Sequence, residues 1–406
     1  MHLLPLLVVA IAAGILYAIN RRLGGLPATI GVTIWALLAS LALVAAGALG
    51  SPVHEFARQL VARVNFRQTL LGGMLSLLLF AGALEVDLDA LLGERALVAA
   101  LATIGVVAST VIVGGLTLLA ARVCGLPINL QESLLFGAIV SPTDPIAVLG
   151  MLRTAHAPKQ LEVQMAGESL FNDAVGVVVF FAIVEIAAGR TVGAGAIALS
   201  FLEEVGGGAL LGLAAGWIGR RLLDRIDRAP ARAGAPLAIV LTVAVAVGLN
   251  PLAEQLHASG YLAVIIAGLM LGGLRTSAGL HRFWEVVDEV LNVLLFAMVG
   301  FEVLVIPFTG RVLGAGLLAI PVVLFARLAV VGGTLAPFAR RLSLPPRSIA
   351  ILTWGGLRGG LAIALALSVG PEIPAAPILL AMTYVVVLFS IVVQGLTFRR
   401  LLPPPT

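Results

Sequence analysis

From residue 3 to residue 397 the sequence is a succession of apolar runs, each about twenty residues long and separated by short polar turns. A run of that length, coiled as an α-helix, crosses the ~30 Å hydrocarbon core of a bilayer. It also satisfies its own backbone groups where no water is available. The composition leaves little room for another reading, with 60% of the 406 residues hydrophobic and 11% charged. Soluble domains carry about a quarter of their residues as charges, so this chain cannot cover its apolar surface in water.

The sequence therefore predicts an all-α polytopic membrane protein, a single unit over 1–406 with about thirteen transmembrane helices. They fall near 3–20, 26–49, 68–84, 96–121, 131–152, 162–189, 197–219, 236–253, 259–274, 286–306, 312–337, 348–369 and 375–397. Almost nothing remains outside the lipid bilayer, so no soluble catalytic domain, and no enzyme, is expected. Residues 51–67 read as an amphipathic interfacial helix, and the arginine-rich stretch 219–234 as a loop joining two halves. The single cysteine, Cys124, allows no internal disulfide.

The net charge of +4 bears on orientation, not on nucleic acid. With the N-terminus outside, the inner loops collect seventeen basic residues, among them Arg21, Arg22, Arg95, Arg153, Lys159, Arg220, Arg221, Arg225, Arg228, Arg232, Arg275, Arg340 and Arg341. The outer loops collect six: Arg58, Arg63, Arg67, Arg122, Arg190 and Arg311. Lys and Arg favour the cytoplasm, so the expected topology is N-terminus out and C-terminus cytoplasmic, in a plasma or inner membrane. Residues 1–20 have no basic stretch before their apolar run and read as an uncleaved first span.

Ionisable groups inside spans are costly and mark ion or substrate paths. Asp144 lies thirteen residues into its span, about 20 Å deep. Asp173 lies eleven residues into the next, about 16 Å from the other side, so the two carboxylates reach similar depth. Around Asp144 runs Ser141-Pro142-Thr143-Asp144-Pro145. Pro142 and Pro145 lack the N–H that would close the helix on Ala138 and Ser141. A plain proline kink would do the same. The added Thr143 and Asp144 favour a cation site, because freed carbonyls in lipid persist only beside a cavity, water or an ion.

In "GESLFNDAVGVVVF", Ser169 and Asp173 are four apart and share a helix face. They offer a hydroxyl and a carboxylate, hard oxygen ligands for an alkali cation. Glu168 and Asn172 share a neighbouring face and could support the architecture, although interhelical hydrogen bonding would equally account for Ser169 and Asn172. In "TWGGLRGGLAIALAL", Arg358 stands among Gly355, Gly356, Gly359 and Gly360, which permit close backbone approach or helix opening. A buried arginine needs an acid. Glu168 is the first choice of partner and Asp173 the second. Arg327, also mid-span, has no assignable partner and reads as part of a structural ion pair. Glu185, Glu203, Glu204 and Glu302 sit near span ends on the outer side, as solvated or funnel-lining groups. Asp288 and Glu289 would line an inner vestibule, and Glu85 is the one acid of its loop that could reach the bundle. His54, His156, His257 and His281 fall in loops or at span ends and suggest no metal centre.

"SPTDPIAV", "GESLFNDAVGVVVF" and "WGGLRGGLAIALAL" together closely resemble the sodium/proton antiporters of the NhaP type, in the cation/proton antiporter group that includes the animal NHE exchangers. The resemblance covers the thirteen-span layout. It implies inverted repeats, two interrupted helices crossing at the midplane, and a homodimer. The ion-translocating core would occupy approximately 68–189 and 286–397, and the dimerisation scaffold approximately 1–50 and 197–274. By resemblance, Na+ binds at Thr143, Asp144, Ser169 and Asp173, and Glu168 with Arg358 forms a core-stabilising pair. Asn172-Asp173 matches the Asn-Asp pair associated with electroneutral exchange. Electrogenic relatives carry Asp-Asp and a lysine in the tenth span, whereas the only lysine here, Lys159, is in an inner loop. Some relatives carry an acid near the position of Ala81, which here is missing or displaced to Glu85.

The implied activity is exchange of Na+ (or Li+) for H+, one for one, by alternating access, with cation and proton competing for Asp173. It would serve pH homeostasis without a cofactor. A K+/H+ antiporter of the same fold is the alternative. An intramembrane aspartyl protease is a distant one, since Asp144 and Asp173 lack its Tyr-Asp and Gly-x-Gly-Asp settings.

Overall fold

The computed structural model describes residues 3–23, 25–189, 194–227, 231–272, 278–306, 308–338, 345 and 347–402. Of the basic residues used for orientation, Arg190, Arg228, Arg275, Arg340, Arg341 and the Arg232 side chain lie outside this description. Among the described residues the chain is helical throughout, with no strand.

The first third comprises α1 (Leu3–Leu23), α2 (Ala28–Ala48), α3 (Val53–Arg63), α4 (Phe66–Thr69), α5 (Leu75–Glu85), α6 (Leu88–Ala102) and α7 (Ile104–Cys124). A π-turn over Leu70–Met74 joins α4 to α5. Its Leu71 carbonyl is taken by the Tyr261 hydroxyl at 2.9 Å. Next come α8 (Leu130–Ile139), α9 (Ile146–Thr154), α10 (Lys159–Ala187), α11 (Ala194–Asp227), α12 (Ala231–Gln255), α13 (Gly260–Gly272) and α14 (Ala278–Phe301). The last third is α15 (Gly310–Phe338), α16 (Ser348–Gly355), α17 (Gly360–Ala366), α18 (Ala376–Phe389) and α19 (Gly395–Phe398).

Nine of the described helical segments are long and apolar enough to cross a membrane, and a tenth if the bent pair α16–α17 counts as one. The remaining three of the thirteen expected spans fall short for visible reasons. The span at 131–152 is broken into α8 and α9, and α13 has only 13 residues. The span at 286–306 falls in α14, which carries Glu285, Asp288 and Glu289 within it. The expected loop at 219–234 is also corrected. The α11 helix runs on to Asp227, and Arg221 stacks 3.8 Å over Trp217 one turn earlier.

Local sequence sets the helix starts. Asn129 and Glu132 form a reciprocal capping box at the start of α8. Asp87 accepts from the Ala90 amide at 3.1 Å to start α6. The expected interfacial helix is present as α3, which has no buried residue. In packing, α5 lies against α13 and α14, and α14 lies against α2 and α1. A second group gathers α6, α7, α8 and α10 with α15, α16, α17 and α18.

Candidate functional site

The prolines do what their chemistry dictates. The α8 helix stops at Ile139, five residues of broken backbone follow Val140, and α9 starts after Pro145. A second break separates α16, which stops at Gly355, from α17, which starts at Gly360. The two breaks touch. The Asp144 amide donates to the Leu357 carbonyl at 2.8 Å. Gly359 makes the approach possible, since a Cβ there would overlap the Asp144 carboxylate.

Helix breaks orphan carbonyls, and a buried orphan costs about 1–3 kcal/mol. Here the main orphans find side chains from distant helices. Arg358 donates from Nη1 to the carbonyls of Ser141 and, at 2.9 Å, Pro142. The Ser169 hydroxyl donates to the Thr143 carbonyl. At the second break, Arg327 donates to the Leu352 carbonyl at 2.9 Å and Gln394 to that of Trp354 at 3.0 Å. Ser390 accepts from the Arg358 amide at 2.8 Å and donates to Gln394 at 2.7 Å.

This overturns one expected pairing. Glu168 is bound by Arg327, through both terminal nitrogens, and not by Arg358. Arg358 instead serves the negative, carbonyl end of α8, where a cation is favoured. Arg327, which the sequence left without a partner, is the one that neutralises the buried acid. The cue was available in principle, since an arginine between two apolar stretches demands an acid.

The remaining predicted residues converge. Thr143, Asp144, Ser169 and Asp173 line one cavity of about 290 Å³, with Pro142 and Pro145 in its wall. Asp144 and Asp173 are partly open to it, while Thr143 and Ser169 are buried. Asp144 Oδ1 accepts from the Ile146 amide at 3.1 Å, so its charge faces the positive start of α9. Asn172 ties Thr143 down twice, donating to its hydroxyl at 2.7 Å and accepting from its amide at 3.2 Å. With its proton committed to the Thr143 carbonyl, the Ser169 oxygen keeps lone pairs for a cation.

The matching profile covers nearly the whole chain. Residues 6–403 match the family described as sodium/hydrogen exchanger, transmembrane. The chain belongs to that family. It is 39% identical over 397 residues to the Na(+)/H(+) antiporter NhaP of Pseudomonas aeruginosa, covering 94% of this chain and 92% of that one. It is 32% identical to the Na(+)/H(+) antiporter NhaH of Halobacillus dabanensis, covering 89% and 91%. Its fold is similar to that of the sodium proton antiporter MjNhaP1 of Methanocaldococcus jannaschii at pH 8, with a TM-score of 0.73, 20% identity, and 99% and 98% of the two chains covered.

In this sodium/hydrogen exchanger family member, the mouth of the cavity is charged. Glu85 and Arg153 pair there at 3.3 Å, and Asp288 lines the same wall. Ala81 is buried in a core cluster with residues of α12 and α13 and does not line the cavity, whereas Gly82 and Glu85 do. Glu85 is thus the α5 acid at the site. Asp288 lines a second cavity as well, together with Glu289 and Asn292. Sequence reasoning missed Ser390 and Gln394 entirely, although two polar residues four apart in "FSIVVQGL" were their signal.

Proposed function

We propose that this chain exchanges Na+ or Li+ for H+ across the plasma membrane, one for one, using Asp173 as the shared binding group. The observation that carries this reading is the cavity itself: two carboxylates and two hydroxyl side chains gathered where two broken helices meet. The names of the two relatives above, both Na(+)/H(+) antiporters, support it.

Asp173 holds either a proton or a cation shared with Ser169, Thr143 and Asp144. Either load neutralises a carboxylate that would otherwise cross the apolar barrier with a desolvation cost of several kcal/mol. An empty, ionised site therefore stays put, which couples the two fluxes. Asn172 is turned into the break and bound to Thr143, so it supplies no second proton carrier. Movement of the core at approximately 68–189 and 286–397 against the scaffold at approximately 1–50 and 197–274 would give alternating access, with α5 and α14 as the core helices that pack on α13 and α2 of the scaffold. A second copy would dock on the scaffold, where α11 exposes Leu199, Leu202, Leu210 and Trp217. The excess of basic residues in one set of loops favours an outside N-terminus and a cytoplasmic C-terminus.

The test uses everted vesicles holding an imposed pH gradient, with Na+, Li+ or K+ added in turn to wild type and Asp173→Ala. Collapse of the gradient by Na+ in wild type alone supports the proposal. Collapse only by K+ changes the substrate and keeps the site. Collapse by no cation, at any pH, refutes it.

A further inference from the structure

The cavity around Asp173 has a counterpart at the opposite ends of the same helices. α5 brings Glu85 to the mouth of the first cavity, while Phe66 and Gln68, at the start of its run, line the second. α17 gives Leu361 to the first, and Leu367 just past its end lines the second. α14 gives Asp288 and Leu295 to the first, and Glu302 just past its end lines the second. Three elements therefore agree that the cavities face opposite sides.

The barrier between them is thin. From Leu295 to Glu302 is seven residues and from Leu361 to Leu367 is six, or about 10 Å of helix at 1.5 Å per residue. Phe66, Leu70 and Leu295 fill it, each less than 5% exposed.

The far cavity, of about 930 Å³, holds one acid. Glu302 is only 7% exposed, yet its carboxylate oxygens are not sealed from the cavity. Among the described residues it has no ion pair or side-chain hydrogen bond. Arg63 of α3 and Arg67 of α4 line the same cavity, exposed and likewise unpaired. The other titratable group nearby is Tyr384 of α18, whose hydroxyl donates to the Val299 carbonyl at 3.0 Å, one turn before Glu302. α2, which also packs here, brings no titratable side chain.

We infer that this cavity is the far-side vestibule of the transport path, and that Glu302 takes up the proton there while Arg63 and Arg67 hold sodium off. The inference rests on the antiport reading above. A proton needs only one carboxylate oxygen, to which it bonds, leaving water on that side one proton poorer. It then passes to the ionised Asp173 once the barrier opens, and Glu302 returns to its charged form. A sodium ion would need a shell of several oxygens, and this cavity offers a single carboxylate facing two guanidinium groups, the side-chain oxygens of Asn65 and Gln68 being hydrogen-bonded between those two residues. Positive charges at a mouth depress the local concentration of cations and their on-rate.

The test compares right-side-out with everted vesicles, varying the pH of the bath alone. For Glu302→Gln, Na+/H+ exchange in the vesicles whose far face meets the bath should fall about tenfold or more at alkaline bath pH. In the opposite orientation, with the lumen that Glu302 then faces held acidic enough to protonate Asp173 directly, the bath-pH profile should keep the wild-type shape. A wild-type profile in both orientations, or an equal loss in both, overturns the inference. Should the Gln variant fail to reach the membrane, Glu302→Asp keeps the acid and should retain the wild-type profile; loss of its far-side pH dependence overturns the inference. Independently, Arg63→Gln with Arg67→Gln should make sodium in the far-side bath a several-fold stronger inhibitor, and no change refutes the role of the rim. Absence of exchange in wild type would instead refute the antiport reading.

Discussion

Arg327 binds the Glu168 carboxylate with Nη2 at 2.9 Å and reaches the Leu352 carbonyl with the same nitrogen at 2.9 Å. One guanidinium thus neutralises the buried acid of α10 and closes the frayed end of α16. Glu168 is 2% and Arg327 7% exposed as side chains, so neither charge has water to fall back on. Arg327→Met should cost about 3–5 kcal/mol, because it strands a buried carboxylate. Adding Glu168→Leu should recover part of that loss. Unfolding in detergent would show it, and a single variant as stable as wild type would contradict the pairing.

Arg358→Met should unbind the Ser141 and Pro142 carbonyls and cost about 1–3 kcal/mol for each group left unsatisfied. Arg358→Lys carries charge but lacks the planar fork, and should recover stability only in part. Thermal unfolding of the two variants decides it: equal losses would mean that the geometry of the guanidinium is irrelevant.

Asn172→Asp restores the acid pair of electrogenic relatives by name only. The side chain sits against Thr143 and beside Arg358 and Arg327, away from the cavity. The Thr143 hydroxyl can turn to donate to the new carboxylate, so the cost, about 1–3 kcal/mol, is that of burying a further charge. Under the one-for-one exchange proposed above, its exchange rate should be as insensitive to an imposed membrane potential as that of wild type. A potential-dependent rate would show that position 172 does reach the ion.

Gly359→Ala places a methyl group on the Asp144 carboxylate and forces the two breaks apart. Exchange should fall at least tenfold, a loss of about 1.4 kcal/mol or more in the barrier. Gly150→Ala, in the same cavity wall but with open space at its Cβ, is the control and should transport normally.

Arg153→Gln removes one half of an exposed ion pair at the cavity mouth. Stability should change by less than about 1 kcal/mol. The apparent KM for sodium should fall at low ionic strength, because a repelling charge has left the entrance, and the difference should fade as salt is raised. A KM unchanged at low salt would place the cation path elsewhere.

The residues that form the cavity were legible because lipid makes them conspicuous. A proline pair around Thr143 and Asp144, and an acid on the next span at matching depth, cost too much in hydrocarbon to persist without a site to serve. Pairing was less legible. Glu168 had two arginines within reach of any helical arrangement, and the choice was made by carbonyls, whose positions depend on where each break falls. The span count suffered from the same cause. The breaks at Pro142 and Gly356, and the acids within α14, line or border the cavity, and they weaken the apolar signal by which a span is recognised.

The first break is completed by a residue 217 positions further along the chain. Glu168 waits similarly, for an arginine 159 positions ahead. During synthesis, then, the segment around Pro142 enters the membrane with its carbonyls bare and its acid unneutralised. It can adopt its final shape only after most of the polypeptide has been made. Truncated chains should therefore be held as loosely inserted, protease-sensitive species, and the proposed ion site is among the last parts of the molecule to mature.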